Sequence, residues 1–154
     1  GRDFASSGIP QLGPGVGSGA PLDRGRGELP NNQFYQFAFR VPPLRNVELT
    51  APYFHDGTIP TLEAAVRHYS DVPKSLRTFD PATLPAAFQS SYHGDQRTID
   101  TLLATLDFRL RQPLNFTDTQ VADLVAFLKS LTDPAARDLS GIVPTSVPSG
   151  LPVR

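Results

Sequence analysis

Leu62, Ala65, Val66 and Tyr69 recur at the i, i+3, i+4 and i+7 spacing of a single helix face. Ile59-Pro60-Thr61 precedes them and reads as a helix entry with Thr61 as the N-cap. By this periodicity Tyr69 points the way the apolar side chains point, and His68 lies roughly 100° away around the axis. A second helix is expected over residues 95–106, with Ile99, Leu102, Leu103 and Leu106 on its stripe. The clearest pattern lies over residues 118–131. Thr117 and Gln120 there form a capping box, and Val121, Leu124, Val125, Leu128 and Leu131 make the stripe. Asp133-Pro134 stops it.

Between these helices the pattern changes. Phe37, Phe39 and Val41 alternate with Ala38 and Arg40, which predicts a short extended segment with one buried edge. Pro42-Pro43 ends it. Residues 44–49 read as either a helical turn or an extended piece. Ala51-Pro52 and His55-Asp56-Gly57 are turn signals. Residues 71–93, with Pro73, Pro81 and Pro85, read as loop with one turn over 80–84. The Gly/Pro-rich segment 1–32 is open between a flexible linker and an ordered loop clamped on a partner surface. Residues 135–154 read as an extended tail. The division is therefore a loop segment 1–32, a helical body 33–134 and a tail 135–154, with three convincing helices and much ordered loop.

Composition sharpens this picture. The chain has 154 residues, a single-domain length, with 39% hydrophobic and 19% charged residues. Its 16 Pro and 12 Gly fit long irregular connections. The formal net charge of −1 gives no electrostatic case for nucleic acid or an anionic membrane. No run approaches 18 apolar residues, so no membrane span is expected. The absence of Cys excludes disulfides and thiolate sites within the chain. A start at Gly1, with no Met anywhere, suggests a processed product or a fragment. So few helices in so long a chain also point to a large prosthetic group at the core.

Candidate chemistry is sparse. His55 either fixes its turn through the backbone or serves as a site histidine near a cofactor, and Asp56 beside it either orients the imidazole or satisfies the turn. Tyr69 reads from pattern alone as a core tyrosine, and His68 and His93 as surface residues. Arg40, Arg45 and Arg67 are able to hold a carboxylate or a propionate, or to pair with Glu48, Asp56 or Glu63. No nucleophile elbow, phosphate loop, His-Glu-x-x-His or EF-hand pattern is present. Ser6-Ser7 and Ser90-Ser91 have no base partner that the sequence assigns.

Residues 39–57, FRVPPLRNVELTAPYFHDG, followed by TLEAAV at 61–66, resemble the C-terminal haem domain of bacterial di-haem cytochrome c peroxidases. That family includes the enzyme that forms tryptophan tryptophylquinone in methylamine dehydrogenase. Residues 114–134 resemble the family's last helix, and residues 4–15 the segment just after haem attachment. The resemblance covers most of the chain and implies a mainly α, cytochrome c-like domain, incomplete without an upstream haem-attachment segment. The family attaches each haem through Cys-x-x-Cys-His, which this chain lacks. It is therefore read as the C-terminal piece of a longer protein whose upstream di-haem portion supplies the haems, the proximal histidines and the peroxidatic carboxylate. The other reading is a homologue that has lost covalent haem.

The resemblance implies specific residues. Tyr69 stands where the family places the distal axial ligand of the C-terminal haem c iron: methionine in typical peroxidases, tyrosine in the quinone-forming branch. A one-residue shift in register would put His68 there. A phenolate stabilises ferric and higher oxidation states, whereas a thioether raises the potential. The backbone carbonyls of Thr50 and Pro52 would ligate a calcium ion. His55 and Phe54 would lie against the haem, and Arg45 would pair a propionate. The implied activity is a peroxidase-like oxidoreductase. It reduces hydrogen peroxide with electrons from a donor c-type cytochrome, or uses it to oxidise a protein side chain. A periplasmic location follows from the resemblance, no catalytic residue is expected in this chain, and a homodimer is left open. The alternative is a haem-less binding or structural module that docks on another cytochrome.

Overall fold

The computed structural model describes residues 3–15, 21–142, 144, 148 and 149. Among the described residues, five α-helices carry the fold: α1 (Leu62–Ser70), α2 (Val72–Arg77), α3 (Ala86–Gln89), α4 (Gln96–Thr105) and α5 (Asp118–Ser130). Two short strands, β1 (Phe4–Ala5) and β2 (Phe39–Arg40), pair antiparallel, and single turns of 3-10 helix punctuate the loops. The expected mainly α body with long ordered loops is the fold observed.

The start signals act as read. The Thr61 hydroxyl accepts from the Ala64 N–H at 3.1 Å, and the Asp95 carboxylate caps α4 through Thr98 at 3.0 Å. The capping box of α5 closes in both directions: Gln120 N–H donates to the Thr117 hydroxyl, and Thr117 N–H to the Gln120 amide oxygen. Ile99, Leu102 and Leu106 are buried, with Leu103 packed beside them. Of the α5 stripe only Val121 is fully buried, while Val125 and Leu128 pack half-buried against a second cluster.

Residues 71–93 are more regular than a loop. Asp71 caps α2 by accepting from the Lys74 N–H at 2.9 Å, and Pro73 sits in the first turn, where its missing donor costs nothing. The i, i+4 pair Val72 and Leu76 then enters the first core with Phe37, Ile99, Leu102 and Leu106. The second core is Tyr53, Ile59, Leu62 and Ala65. Helix α1 gives Leu62 and Ala65 to this second core and also packs against α2 and α5, so it is covered on more than one face.

Residues 3–15 pack against the helical body. β1 pairs with β2, and Val41 N–H donates to the Asp3 carbonyl at 2.8 Å. Further on, Gly13 N–H donates to the Ser91 carbonyl at 2.8 Å and His93 N–H to the Gln11 carbonyl at 2.9 Å. Ile9, Pro10 and Gln11 are buried. Gly8 makes this passage feasible. Its φ of +61° is one that side chains resist, and a Cβ there would sit 2.6 Å from Val72 Cγ1. Positions 16–20 lie outside the described residues.

The alternation at 37–41 fails for a local reason. Phe37 has φ +54°, which turns its ring into the first core and buries Ala38 as well, while Val41 is exposed. Segment 44–50 adopts a 3-10 turn and latches onto the end of α5. Asn46 N–H donates to the Leu131 carbonyl, Arg45 pairs with Asp133 at 2.8 Å, and Arg137 with Glu48 at 2.7 Å. The tail opens with a 3-10 turn at Pro134–Arg137 rather than an extended strand, and most of its last residues lie outside the described set.

Candidate functional site

The turn 52–59 faces the end of α1. Tyr53 N–H closes it on the Ile59 carbonyl at 2.7 Å. One oxygen of Asp56 accepts from the Thr58 N–H at 3.2 Å and its hydroxyl at 2.9 Å, so Asp56 serves the turn rather than the neighbouring imidazole. Phe54 is held at φ +66°, a conformation that costs a non-glycine residue about 1–2 kcal/mol. That backbone places its ring 5.0 Å from His68 and 5.7 Å from Tyr69, edge-on to both.

The two neighbours on α1 reverse their expected environments. His68 is 2% exposed, not a surface residue. Its Nε2 lies 2.9 Å from the Ser7 carbonyl, which only accepts, so Nε2 carries the proton. Its Nδ1 then accepts from the Ser75 hydroxyl at 2.8 Å. Burial pushes the imidazole pKa down, opposed by the bond to Ser7, and His68 is a neutral, fully partnered ring. Tyr69 is 37% exposed rather than sealed in the core. Its hydroxyl end packs in and donates to the Ser7 hydroxyl at 3.3 Å. Desolvation there raises the phenol pKa, with the Ser7 bond pulling the other way. The physical reason is the second covering layer: α2 and the segment around Ser7 bury the His68 side of α1, which a one-stripe reading leaves to solvent.

His55 stacks on Phe39, with centroids 3.5 Å apart and planes 12° from parallel, and its Nε2 lies 3.6 Å from Asp23. Burial lowers its pKa, with Asp56 and Asp23 opposing. The structure thus separates two groups: Phe54, His68 and Tyr69 around the end of α1, and His55 with Phe39 and Asp23. Arg45 is engaged with Asp133, and its side chain is 72% exposed. Arg67 bridges Glu63 and Asp118, each at 2.9 Å, tying α1 to the start of α5. Thr50 and Pro52 are exposed, and among the described residues no hydrogen bond ends on either carbonyl. No cluster of three or more acidic or histidine side chains able to hold a metal occurs among the described residues.

Sequence reasoning missed Ser7 and Ser75. In the sequence Ser7 shows only as a hydroxyl without a base partner, and no periodicity links it to α1, 61 residues away.

This geometry is that of a cytochrome c-like helical domain. Residues 38–75 match the family described as RoxA-like, cytochrome c-like. Among curated relatives, a cytochrome c551 peroxidase of Nitrosomonas europaea is 42% identical over 47% of this chain and 22% of its own length. A methylamine utilization protein MauG of Methylorubrum extorquens is 29% identical over 79% of this chain and 27% of its own. A cytochrome c551 peroxidase of Pseudomonas aeruginosa is 36% identical over 51% and 23%. The crystal structure of a MauG-like protein associated with microbial copper homeostasis superposes with a TM-score of 0.55 at 26% identity, covering 86% of this chain and 35% of that one. The chain is thus similar in sequence to cytochrome c551 peroxidases and to MauG proteins. It spans about a quarter of the length of the curated relatives it matches, at 22%, 27% and 23%. No helix among the described residues is long and apolar enough to cross a membrane.

Proposed function

We propose that this chain forms the distal-ligand side of a c-type haem domain in a di-haem, peroxidase-like oxidoreductase, with the Tyr69 oxygen as the iron ligand. The observation that carries this reading is the contrast on α1. His68 is buried with both ring nitrogens engaged, whereas Tyr69 is partly exposed and its inward-packed hydroxyl makes a single hydrogen bond, to Ser7, beside the strained Phe54. A ligand needs a donor atom with an uncommitted lone pair, and of the two only the Tyr69 oxygen, which donates to Ser7 and accepts nothing among the described residues, retains one. The donor set suits the group: tyrosinate is a known haem ligand that favours the ferric state.

Haem c, when bound, supplies redox-active iron for electron transfer and peroxide chemistry. This chain's residues position and enclose. Phe54 offers an apolar edge to the macrocycle. The raised phenol pKa keeps Tyr69 neutral in the chain alone, and a neighbouring cation is what offsets the cost of deprotonating it. His55, stacked on Phe39 in a separate group, would lie toward the macrocycle edge. Arg45 would have to share its guanidinium between a propionate and Asp133. The free carbonyls of Thr50 and Pro52 offer hard oxygen donors for calcium, completed by groups outside this chain.

The attachment of haem and the proximal side belong to an upstream di-haem portion. The electron source is a donor c-type cytochrome or a protein substrate, hydrogen peroxide is the oxidant, and the location is periplasmic. The test is the full-length protein, purified and assayed for covalently bound haem and for peroxide-dependent oxidation of a reduced small cytochrome or of a protein side chain. Stoichiometric haem with either activity supports the assignment; a haem-free full-length protein refutes it.

A further inference from the structure

Four groups from three separate parts of the chain form a continuous line. The Ser75 hydroxyl on α2 donates to His68 Nδ1 at 2.8 Å. His68 Nε2–H on α1 donates to the Ser7 carbonyl at 2.9 Å. The Ser7 hydroxyl then receives the Tyr69 hydroxyl at 3.3 Å. Ser7 is crowded from its other side too. The next residue, Gly8, lies at φ +61° with so little space around it that an added Cβ would meet Val72, Leu106 and Leu76, which disfavours any other residue beside Ser7. Two aromatic edges, Phe54 and His68, each 5.7 Å from the Tyr69 ring, restrict its rotation.

We infer that Ser7 is a positioning residue for Tyr69: its hydroxyl sets the direction of the phenolic C–O bond, and His68 holds Ser7 in place through its carbonyl. This rests on the reading of Tyr69 as the haem ligand and extends it to a residue that neither composition nor periodicity connects to the site. A serine hydroxyl both accepts and donates, so the contact persists for a phenol or a phenolate. Alanine at position 7 keeps the carbonyl that His68 needs and removes only the hydroxyl. Tyr69 then keeps its place on α1 but loses the contact that aims its oxygen. His68, often read in such a pair as the competing ligand, becomes part of the support instead.

The test compares wild type, Ser7→Ala, Ser7→Thr and Tyr69→Phe in the full-length, haem-loaded ferric protein. Resonance Raman and electron paramagnetic resonance report the fraction of iron bound by phenolate. Loss of one hydrogen bond predicts a roughly five-fold rise in the ratio of unligated to ligated forms for Ser7→Ala. Ser7→Thr, which restores a hydroxyl, should return the ratio to that of wild type. Haem content and circular dichroism should stay unchanged, because Ser7 is only half-buried. If Tyr69→Phe abolishes the phenolate signature but Ser7→Ala leaves the ratio at the wild-type value, the positioning role is wrong and the ligand assignment stands. If Tyr69→Phe changes nothing, the ligand assignment fails and the positioning role goes with it. Should Ser7→Ala lose haem, Ser7→Thr decides alone: a wild-type ratio supports the role, and a five-fold rise despite its hydroxyl overturns it.

Discussion

Gly8→Ala tests whether residues 3–15 are a structural part of this domain. Two costs add at this position. Alanine at φ +61° carries about 1–2 kcal/mol of left-handed backbone strain. Its Cβ would also lie 2.6 Å from Val72 Cγ1, 3.0 Å from Leu106 Cδ1 and 3.1 Å from Leu76 Cδ1, all in the first core, so the core must shift. Overpacking of this kind costs about 1–3 kcal/mol. The expected loss is therefore about 2–5 kcal/mol, read from urea denaturation of the full-length protein through the transition of this domain. Two other glycines calibrate it. Gly57 has φ +69° but meets only Pro52, at 3.0 Å, so Gly57→Ala should show about 1–2 kcal/mol, the backbone part alone. Gly141 has nothing within 4 Å, and Gly141→Ala should fall within about 0.5 kcal/mol of wild type. If Gly8→Ala is no worse than Gly57→Ala, the segment does not press on the core and the packing argument fails.

Leu102→Ala, at a site 1% exposed in the first core, should destabilise by about 2–5 kcal/mol in the same denaturation assay. Thr117→Ala removes one half of the α5 capping box and should cost about 0.5–2 kcal/mol by the same measure. For pH, His68 has a folded-state pKa below its unfolded value near ~6.5, so the unfolded chain takes up the proton first. Stability should be full above that pH and fall as the solution is acidified toward the folded pKa, by at most about 1.4 kcal/mol per pH unit for this group. His55 shifts in the same direction, so denaturation between pH 7.5 and 5 should show a slope that His68→Gln reduces without abolishing.

The long periodic helices were legible because pattern and caps agree: α1 with Thr61, α4 with Asp95 and α5 with its capping box all begin where their residues say. α2 was not, although Asp71 and Pro73 are a helix-start signature, because six residues hold only one apolar pair. The buried edge at 37–41 depended on strict alternation, and the positive φ of Phe37 broke it. The environments of His68 and Tyr69 were inverted for a tertiary reason. Periodicity describes one helix and one buried face, while α1 is covered both by the turn around Tyr53 and by α2 with the Ser7 segment. What the family resemblance adds, and composition does not, is the expectation that Tyr69 is an axial ligand of a haem iron.

Ferric ligation in Tyr69→Phe and His68→Gln, measured side by side on the full-length haem protein by resonance Raman, addresses the central assignment most directly. The account predicts that an iron–phenolate band present in wild type disappears in Tyr69→Phe and survives in His68→Gln. A wild-type spectrum without that band, or a band indifferent to Tyr69→Phe, contradicts it.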